Sequence, residues 1–472
     1  MHPIVLTFYI IVTLWALLSI ILHGTRPTKS LGWMLTVLIF PIGGPFIYYL
    51  FGVNRRKFKL FRSSRSLERM RRLQKSTQNF VSEKTNEQLE YKYLAQLLKN
   101  ASKSSVLGDN QVTVLHDGQE TFESLFKTLE KAQKFIHLQY YIFEKGEVQN
   151  RFYDLFKKKI KEGVEIRLLY DSFGSYAFRG KNKKRFENIG VELFPIMPIR
   201  FGNLLFSLNY RNHRKIVIVD GKIGFTGGVN ISDKYVTDKD ELGRWRDIHA
   251  KIEGPAVNRL HQVFLEDFSY AKKEGDSLFT EKYLPKSEKT GESSVQIISS
   301  GPDSKFPGVM MQYMGMMNGA KEEICICNPY FIPDQSVLHG IAMAALRGIT
   351  VKLLVPKTSD SILAKYSMYS NFEFMLKSGV QIYLRDDFTH SKLMVVDKYL
   401  TSIGSGNFDY RSFEHNFETN TLVYDKVVAQ EALLDFEQHM QRASKLDFES
   451  FCNRPLRQKF LEGIAKLFAP LL

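Results

Sequence analysis

The sequence predicts an α/β protein: two related halves, each a β-sheet flanked by helices, preceded by two N-terminal transmembrane segments. Three observations predict it. From about residue 108, strand-like apolar runs alternate with amphipathic helical ones. The same landmarks occur twice in that stretch, and two long uncharged runs precede it. At 472 residues the chain is also long enough for two cores.

The first uncharged run, Ile4 to Leu22, is 19 residues, long enough to span a hydrocarbon core. A second goes from Leu31 to Phe51, with Trp33, Tyr48 and Tyr49 near its ends as interfacial anchors. Pro41, Gly43, Gly44 and Pro45 interrupt it, so a kinked span or a re-entrant hairpin fits there. A cleaved signal peptide is the competing reading. Met1-His2-Pro3 carries no basic residue, and no small-x-small cleavage site follows Leu22. Residues 1–52 are therefore expected to form a membrane hairpin. Arg26 and Lys29 lie between the runs; Arg55, Arg56, Lys57, Lys59, Arg62 and Arg65 follow the second. By the positive-inside rule both termini and the bulk of the protein belong in the cytoplasm.

Residues 53–107 are basic, then rich in Glu, Gln and Lys, and read as a helical connector attracted to an anionic leaflet. In the first half, 108–283, strands are expected at Gln111–Leu115, Phe135–Phe143 and Val164–Tyr170, with a helix over Thr121–Ala132. A polar linker, 284–294, leads to the second half, 295–446, with strands at Val295–Ile298 and Ile324–Cys327 and a helix over Met310–Ala320. Gly163-Val164-Glu165-Ile166 recurs as Gly348-Ile349-Thr350-Val351, and Gly190-Val191-Glu192-Leu193 as Gly379-Val380-Gln381-Ile382. A repeat this long is a duplicated domain rather than a solenoid. The tail, 447–472, carries Phe460, Leu461, Ile464, Leu467, Phe468 and Leu471 at helical spacing. It suits either an interfacial helix or one packed on the body.

Composition narrows the partners. A net charge of +15 and a pI of about 9.4 imply an anionic one. The excess is densest beside the membrane and no nucleic-acid module is present, so anionic lipid fits better than nucleic acid. Cys325, Cys327 and Cys452 make neither a disulfide framework nor a zinc site, which points to a reducing compartment.

Each half carries one polar signature. His213 and Lys215 precede Ile216–Val219, closed by Asp220; His390 and Lys392 precede Leu393–Val396, closed by Asp397. On a strand, positions i and i+2 share a face, so each His and its Lys should project together. A single His-x-Lys-x4-Asp match arises by chance. Two at corresponding places of a repeat, each followed ten residues after the Asp by an Asn (Asn230, Asn407), do not. The chemistry suits a phosphodiester: two imidazoles to serve as nucleophile and acid/base, two lysines to neutralise phosphate charge, and Asn230, Ser405 and Asn407 to donate hydrogen bonds. No acidic cluster has metal-ligand spacing, so neither metal nor other cofactor is expected.

The duplicated His-x-Lys-x4-Asp motif resembles the phospholipase D superfamily over residues 108–446. Asn407-x-Asp409-x-Arg411-Ser412-x3-Asn416-x-Glu418, Asn328-Pro329-Tyr330-Phe331-Ile332-Pro333-Asp334 and Gly301-Pro302-Asp303 are similar to its cardiolipin synthase branch. The resemblance implies two phospholipase D-like halves related by a pseudo-two-fold axis. It implies a phosphatidyltransferase of a bacterial plasma membrane that converts two phosphatidylglycerols into cardiolipin and glycerol through a phosphohistidine. By the same analogy His213 is the nucleophile and His390 the acid/base. Glu418, 28 residues past His390, orients an imidazole; Asp247, 34 past His213, is its counterpart in the first half. Asp220 and Asp397 support the strand-loop junction. Hydrolysis by the same residues, as in a phospholipase D, is the rival reading.

Overall fold

Ile4 to Leu22 has neither a charge nor a helix breaker, and it lies within one helix, α1 (Pro3–His23), in the computed structural model. The structure describes residues 3–23, 27–40, 43–49, 90–198, 210–272 and 278–472. The second apolar run is not a single helix. It divides into α2 (Pro27–Ile39) and α3 (Gly43–Ile47), and its end lies outside the described residues. At 13 residues α2 is about 20 Å long, less than the roughly 30 Å of a hydrocarbon core. Gly44 lets α3 approach α2 closely, since a Cβ there would lie 2.3 Å from the Thr36 carbonyl oxygen. Ala16, Ile20, Val37 and Tyr48 form a small core in this unit. Phe8, Ile11, Leu14, Leu18, Leu35 and Leu38 face outward. Among residues described in full, which in α1 are 7–22, no helix is long and apolar enough to cross a membrane.

The second unit holds both repeats. From the connector comes α4 (Lys92–Ser102). The first half then runs β1 (Leu107–Leu115), α5 (Gly118–Leu129), β2 (Phe135–Tyr140), α6 (Glu147–Lys161), β3 (Glu165–Asp171), α7 (Lys181–Asn188), β4 (Glu192–Ile196), β5 (Arg211–Asn212), β6 (Ile216–Val219), β7 (Ile223–Gly227), β8 (His249–Glu253) and α8 (Ala256–Lys272). The second runs β9 (Ser293–Ser300), α9 (Gly308–Gly319), β10 (Glu323–Cys327), β11 (Phe331–Ile332), α10 (Gln335–Leu346), β12 (Thr350–Pro356), α11 (Ile362–Tyr369), α12 (Phe372–Lys377), β13 (Gln381–Arg385), β14 (Leu393–Val396), β15 (Leu400–Gly404), β16 (Phe408–Asp409), α13 (Tyr410–Glu414), β17 (Asn416–Tyr424) and α14 (Lys426–Gln441). After β18 (Ala443–Lys445) the tail adds α15 (Phe448–Cys452) and α16 (Leu456–Phe468).

Period-2 patterning explains why helices cover both sheet faces. Ile136, Leu138 and Tyr140 of β2 point into one core with Phe122 of α5 and Phe152 and Phe156 of α6. Phe135 and His137 point the other way, against His261 and Phe264 of α8. Each fully buried Phe contributes about 1.5–3 kcal/mol. The repeat is visible in backbone detail. Gly163 and Gly348 precede β3 and β12 with φ of 87° and 91°, and Gly190 and Gly379 precede β4 and β13 with φ of 100° and 93°. All four end a helical turn in the left-handed region that glycine tolerates.

The main sheet follows the order β18-β13-β12-β10-β14-β15-β17-β9-β1-β8-β7-β6-β2-β3-β4. Read outward from the centre, β9-β17-β15-β14-β10-β12-β13 matches β1-β8-β7-β6-β2-β3-β4 element for element. The central pair, β1 with β9, is antiparallel. Two further contacts cross between the halves: β5 pairs with β17, and Arg246 bridges to Thr389. Residues 53–89 of the expected connector lie outside the described residues, and its described end, 90–107, is less peripheral than its composition suggests. Tyr91, Leu94, Ala95 and Leu98 enter the core of the second half beside Tyr313 and Met316 of α9.

Candidate active site

The motif residues do not lie within strands, as their spacing predicts. His213 and Lys215 occupy the extended segment between β5 and β6, and His390 and Lys392 the segment before β14. The apolar strands after them are wholly buried and anchor these segments. Each lysine folds back: Lys215 Nζ donates to the His213 carbonyl at 2.8 Å, and Lys392 Nζ donates to that of His390.

The acids are exchanged between the halves. His213, from the first half, holds Glu418 of the second, with Nδ1 3.1 Å from both carboxylate oxygens and 3.1 Å from the Ser405 carbonyl oxygen. His390, from the second half, holds Asp247 of the first, with Nδ1 2.6 Å from Oδ2. Only acceptors face His213 Nδ1, so that nitrogen carries the proton and Nε2 keeps its lone pair. The cross-half strand contacts bring this about. His213 N donates to the Phe417 carbonyl at 2.9 Å, and His390 N to that of Arg246 at 2.6 Å. Sequence spacing pairs each acid with the histidine of its own half; the fold pairs it with the other.

The two acids differ. Glu418 accepts hydrogen bonds from the Ser405 and Ser412 hydroxyls and the Asn416 amide. Burial alone would raise its pKa, but His213, Lys215 and Ser405 outweigh burial and hold it below the usual carboxylate value. Asp247 accepts from the Ile248 N–H at 2.8 Å. Burial pushes it up to about 6, against the attraction of Lys392. Gly228, at the position of Ser405, is explained by this acid: a Cβ there would lie 2.0 Å from Asp247 Oδ1.

Burial depresses both imidazoles, His390 further, because Lys392, Lys215 and His213 add positive charge around it. Lys215 is drawn down to about 7, first by burial and then by Lys392, against the pull of Glu418. Lys392 is lowered too, again chiefly by burial. The cluster is thus two histidines, two lysines and two acids close enough to share their electrostatics.

Asp220 and Asp397 are not part of that cluster. They close the far ends of β6 and β14 with φ of 54° and 51°. The Asp220 carboxylate accepts from the N–H groups of Gln133, Lys134 and Phe135 at 2.7–2.9 Å. Asp397 accepts from those of Lys321, Glu322 and Glu323 at 2.8 Å, and also from the Tyr91 hydroxyl. Each ties its motif strand to the start of β2 or β10. Of the expected phosphate donors, Asn230 hydrogen-bonds the Ile142 N–H and the Tyr235 hydroxyl, whereas the buried Asn407 Oδ1 has no partner among the described residues. Ser405 serves Glu418. His249, two positions after Asp247, is buried with both ring nitrogens unpaired among the described residues, and burial lowers its pKa to about 3.

Four neighbours carry no such sequence expectation. Tyr141 packs edge-on against His213 at 4.9 Å, and Trp245 lies 5.2 Å from His390. The Tyr235 hydroxyl lies 3.3 Å from His390 Nδ1, and Ser412 holds Glu418 at 3.0 Å. Ser412 stands inside the quoted Asn407-to-Glu418 motif and Trp245 two positions before Asp247, so proximity in sequence was a usable signal. Tyr141 and Tyr235 give none.

The chain resembles known proteins over nearly its whole length. The family described as "Cardiolipin synthase, PLD-like domain" matches residues 125–267 and 313–440. A second, "Phospholipase_D-nuclease N-terminal", matches 11–52. The cardiolipin synthase of Geobacillus sp. (strain WCH70) is 37% identical over 455 residues, covering 96% of this chain and 90% of that protein. Cardiolipin synthase 2 of Bacillus anthracis is 35% identical over 457 residues, covering 96% and 88%. Among solved structures, phosphatidylserine synthase from Haemophilus influenzae Rd KW20 superposes with a TM-score of 0.61 at 17% identity, covering 80% of this chain and all of that one, a likeness of fold. The paired motifs, the duplicated α/β body and these full-length relatives together place the chain in the cardiolipin synthase family of the phospholipase D superfamily.

Proposed function

We propose that the chain joins two phosphatidylglycerols into cardiolipin and glycerol by a two-step phosphatidyl transfer. The observation that carries the mechanism is the exchanged pairing, which fixes each imidazole through Nδ1 and leaves the Nε2 of His213 for chemistry. His213 is the nucleophile. No hydrogen bond engages its Nε2 among the described residues, and Glu418 remains a carboxylate able to stabilise the charge that a phosphohistidine places on the ring. His390 is the acid/base, with Lys392 Nζ 3.2 Å from its Nε2.

In the first step His213 Nε2 bonds to phosphorus and the P–O bond to glycerol breaks, its oxygen taking a proton from His390. In the second, His390 removes the proton from a glycerol hydroxyl of another phosphatidylglycerol, whose oxygen displaces His213. Lys215, Lys392, Asn230 and Asn407 face the phosphate oxygens in this reading, while the Ser405 hydroxyl holds Glu418. The division into halves at 108–283 and 295–446, with the linker 284–294 between, follows the repeat. Residues 1–52 anchor the protein in the bacterial plasma membrane with the body in the cytoplasm. The outward apolar side chains of α1 and α2 support this, since water would leave them uncovered.

The test is to incubate the full chain in phosphatidylglycerol vesicles with EDTA and no nucleotide, and quantify lipid products. Cardiolipin with equimolar glycerol, abolished in His213→Ala and His390→Ala, is expected. Phosphatidic acid in place of cardiolipin would make water the acceptor and the enzyme a phospholipase.

A further inference from the structure

The tail helix α16 presents two unlike faces. Its inner face is built of small or paired side chains: Ala465 is buried, as is Ala469 just past the helix, and Glu462, the helix's one acid, is buried against Arg454 at 2.8 Å. This face packs on α11. The outer face carries Leu456 (82% exposed), Phe460 (68%), Ile464 (39%), Leu467 (77%) and Phe468 (43%). At 100° per residue these five span about a third of the helix circumference, a single stripe. Ile362 (76%) and Leu363 (37%) on α11 are exposed as well.

Large apolar side chains left outward in a row mark a surface that something covers. The charges say what. Arg457, Lys459 and Lys466 are the charged residues of the helix other than the buried Glu462, so every charge it presents is positive. An apolar stripe that carries Arg457 within it and has Lys459 and Lys466 along one side is complementary to an anionic bilayer surface, where the apolar side chains enter the acyl boundary and the cations meet headgroups.

We propose that α16 lies in the interface of an anionic lipid leaflet and docks the catalytic body there, as a contact additional to the N-terminal segments. Its position relative to the site gives the contact a purpose. The turn Ala469–Leu471 that ends it packs against α13, and an oxygen of Leu472 accepts from the Arg411 N–H at 3.2 Å. The next residue, Ser412, donates its hydroxyl to Glu418, which holds His213. A leaflet against α16 therefore sits beside the segment that positions the nucleophile, and delivers lipid substrate to it without a diffusing carrier.

The inference rests on the reading that the site takes bilayer lipids, and its test needs no turnover. The full chain with Phe460→Trp, and separately with Leu467→Trp, is reconstituted in vesicles of equal phosphatidylglycerol and phosphatidylcholine, the latter brominated near the headgroup end of its acyl chains. The added tryptophan, obtained by difference from the parent, should emit in the blue and be quenched at least twofold. Emission typical of water without quenching in both variants overturns the proposal, as does blue emission without quenching, which would mean a protein covers the stripe. Neither result touches the product test, so loss of the docking helix and loss of the proposed reaction are distinguishable.

Discussion

Gly228 and Ser405 occupy the same place in the two repeats, and the difference between them is set by the acid each one faces. A Cβ at 228 would overlap the Asp247 carboxylate, so Gly228→Ser must push that acid off His390. Misplacing a catalytic group by about an ångström costs on the order of 100-fold in rate. Gly228→Ser should lose about that much kcat in the vesicle assay. Ser405→Gly, which removes one of four donors to Glu418 and leaves Ser412, Asn416 and His213, should lose far less. The titrations of this cluster bear on pH in the same way. Asp247 must be ionised to hold His390, and with its pKa raised to about 6 that condition fails as pH falls through 6. Lys215 must be charged, and with its pKa drawn down to about 7 that fails as pH rises through 7. The kcat/KM profile should therefore be a narrow bell between those limbs, and Asp247→Asn should flatten the acid limb while lowering the plateau.

The motif strands β6 and β14 depend on their terminal aspartates in a way that is structural. Asp220 satisfies three backbone N–H groups at the start of β2 and holds a left-handed conformation that a non-glycine residue resists. Asp220→Ala should destabilise the body by about 2–3 kcal/mol, read as a lower Tm by calorimetry, while Asp220→Asn retains part of the difference. Elements of this size were largely legible in the sequence. Strands expected at 111–115, 164–170 and 324–327 are observed at Leu107–Leu115, Glu165–Asp171 and Glu323–Cys327. Helices expected at 121–132 and 310–320 begin two or three residues early, at Gly118 and Gly308. Asp117 caps the first of these, a short-range signal available from its side chain. The break in the second apolar run was legible as well: its Pro and Gly residues mark an interruption in the sequence, and α2 stops at Ile39.

Across the whole molecule, the palindromic strand order puts the two motif segments face to face and makes each half supply the acid for the other. This has a consequence that within-half pairing lacks. Glu418→Gln, in the second half, should slow formation of the covalent phosphatidyl-enzyme on His213, in the first, by on the order of 10,000-fold, the loss found when a histidine's orienting carboxylate becomes an amide. Acid-quench trapping with radiolabelled phosphatidylglycerol reads it. Label that forms at the parental rate in Glu418→Gln would remove the cross-half partnership from the mechanism. The connector shares in this long-range arrangement, since Tyr91 reaches the Asp397 carboxylate across 306 positions of sequence.

The α/β class, the duplication and the histidine-lysine motifs were determined by the sequence itself, because side-chain periodicity and repeated strings are local properties that one chain displays twice. The chemistry of two imidazoles beside two lysines was legible for the same reason. Which acid holds which histidine was decided only by the tertiary structure. Along the chain Asp247 stands far nearer His213 and Glu418 far nearer His390, yet the β5–β17 pairing and the Arg246–Thr389 bridge join each acid to the histidine 143 or 205 positions away. Tyr141 and Tyr235 were invisible for a related reason: they lie on segments remote in sequence from the imidazoles they touch. The outward face of α16 completes the contrast. Spacing showed that the tail is amphipathic, but packing on α11 was needed to show that its small residues face the protein and its large apolar ones do not.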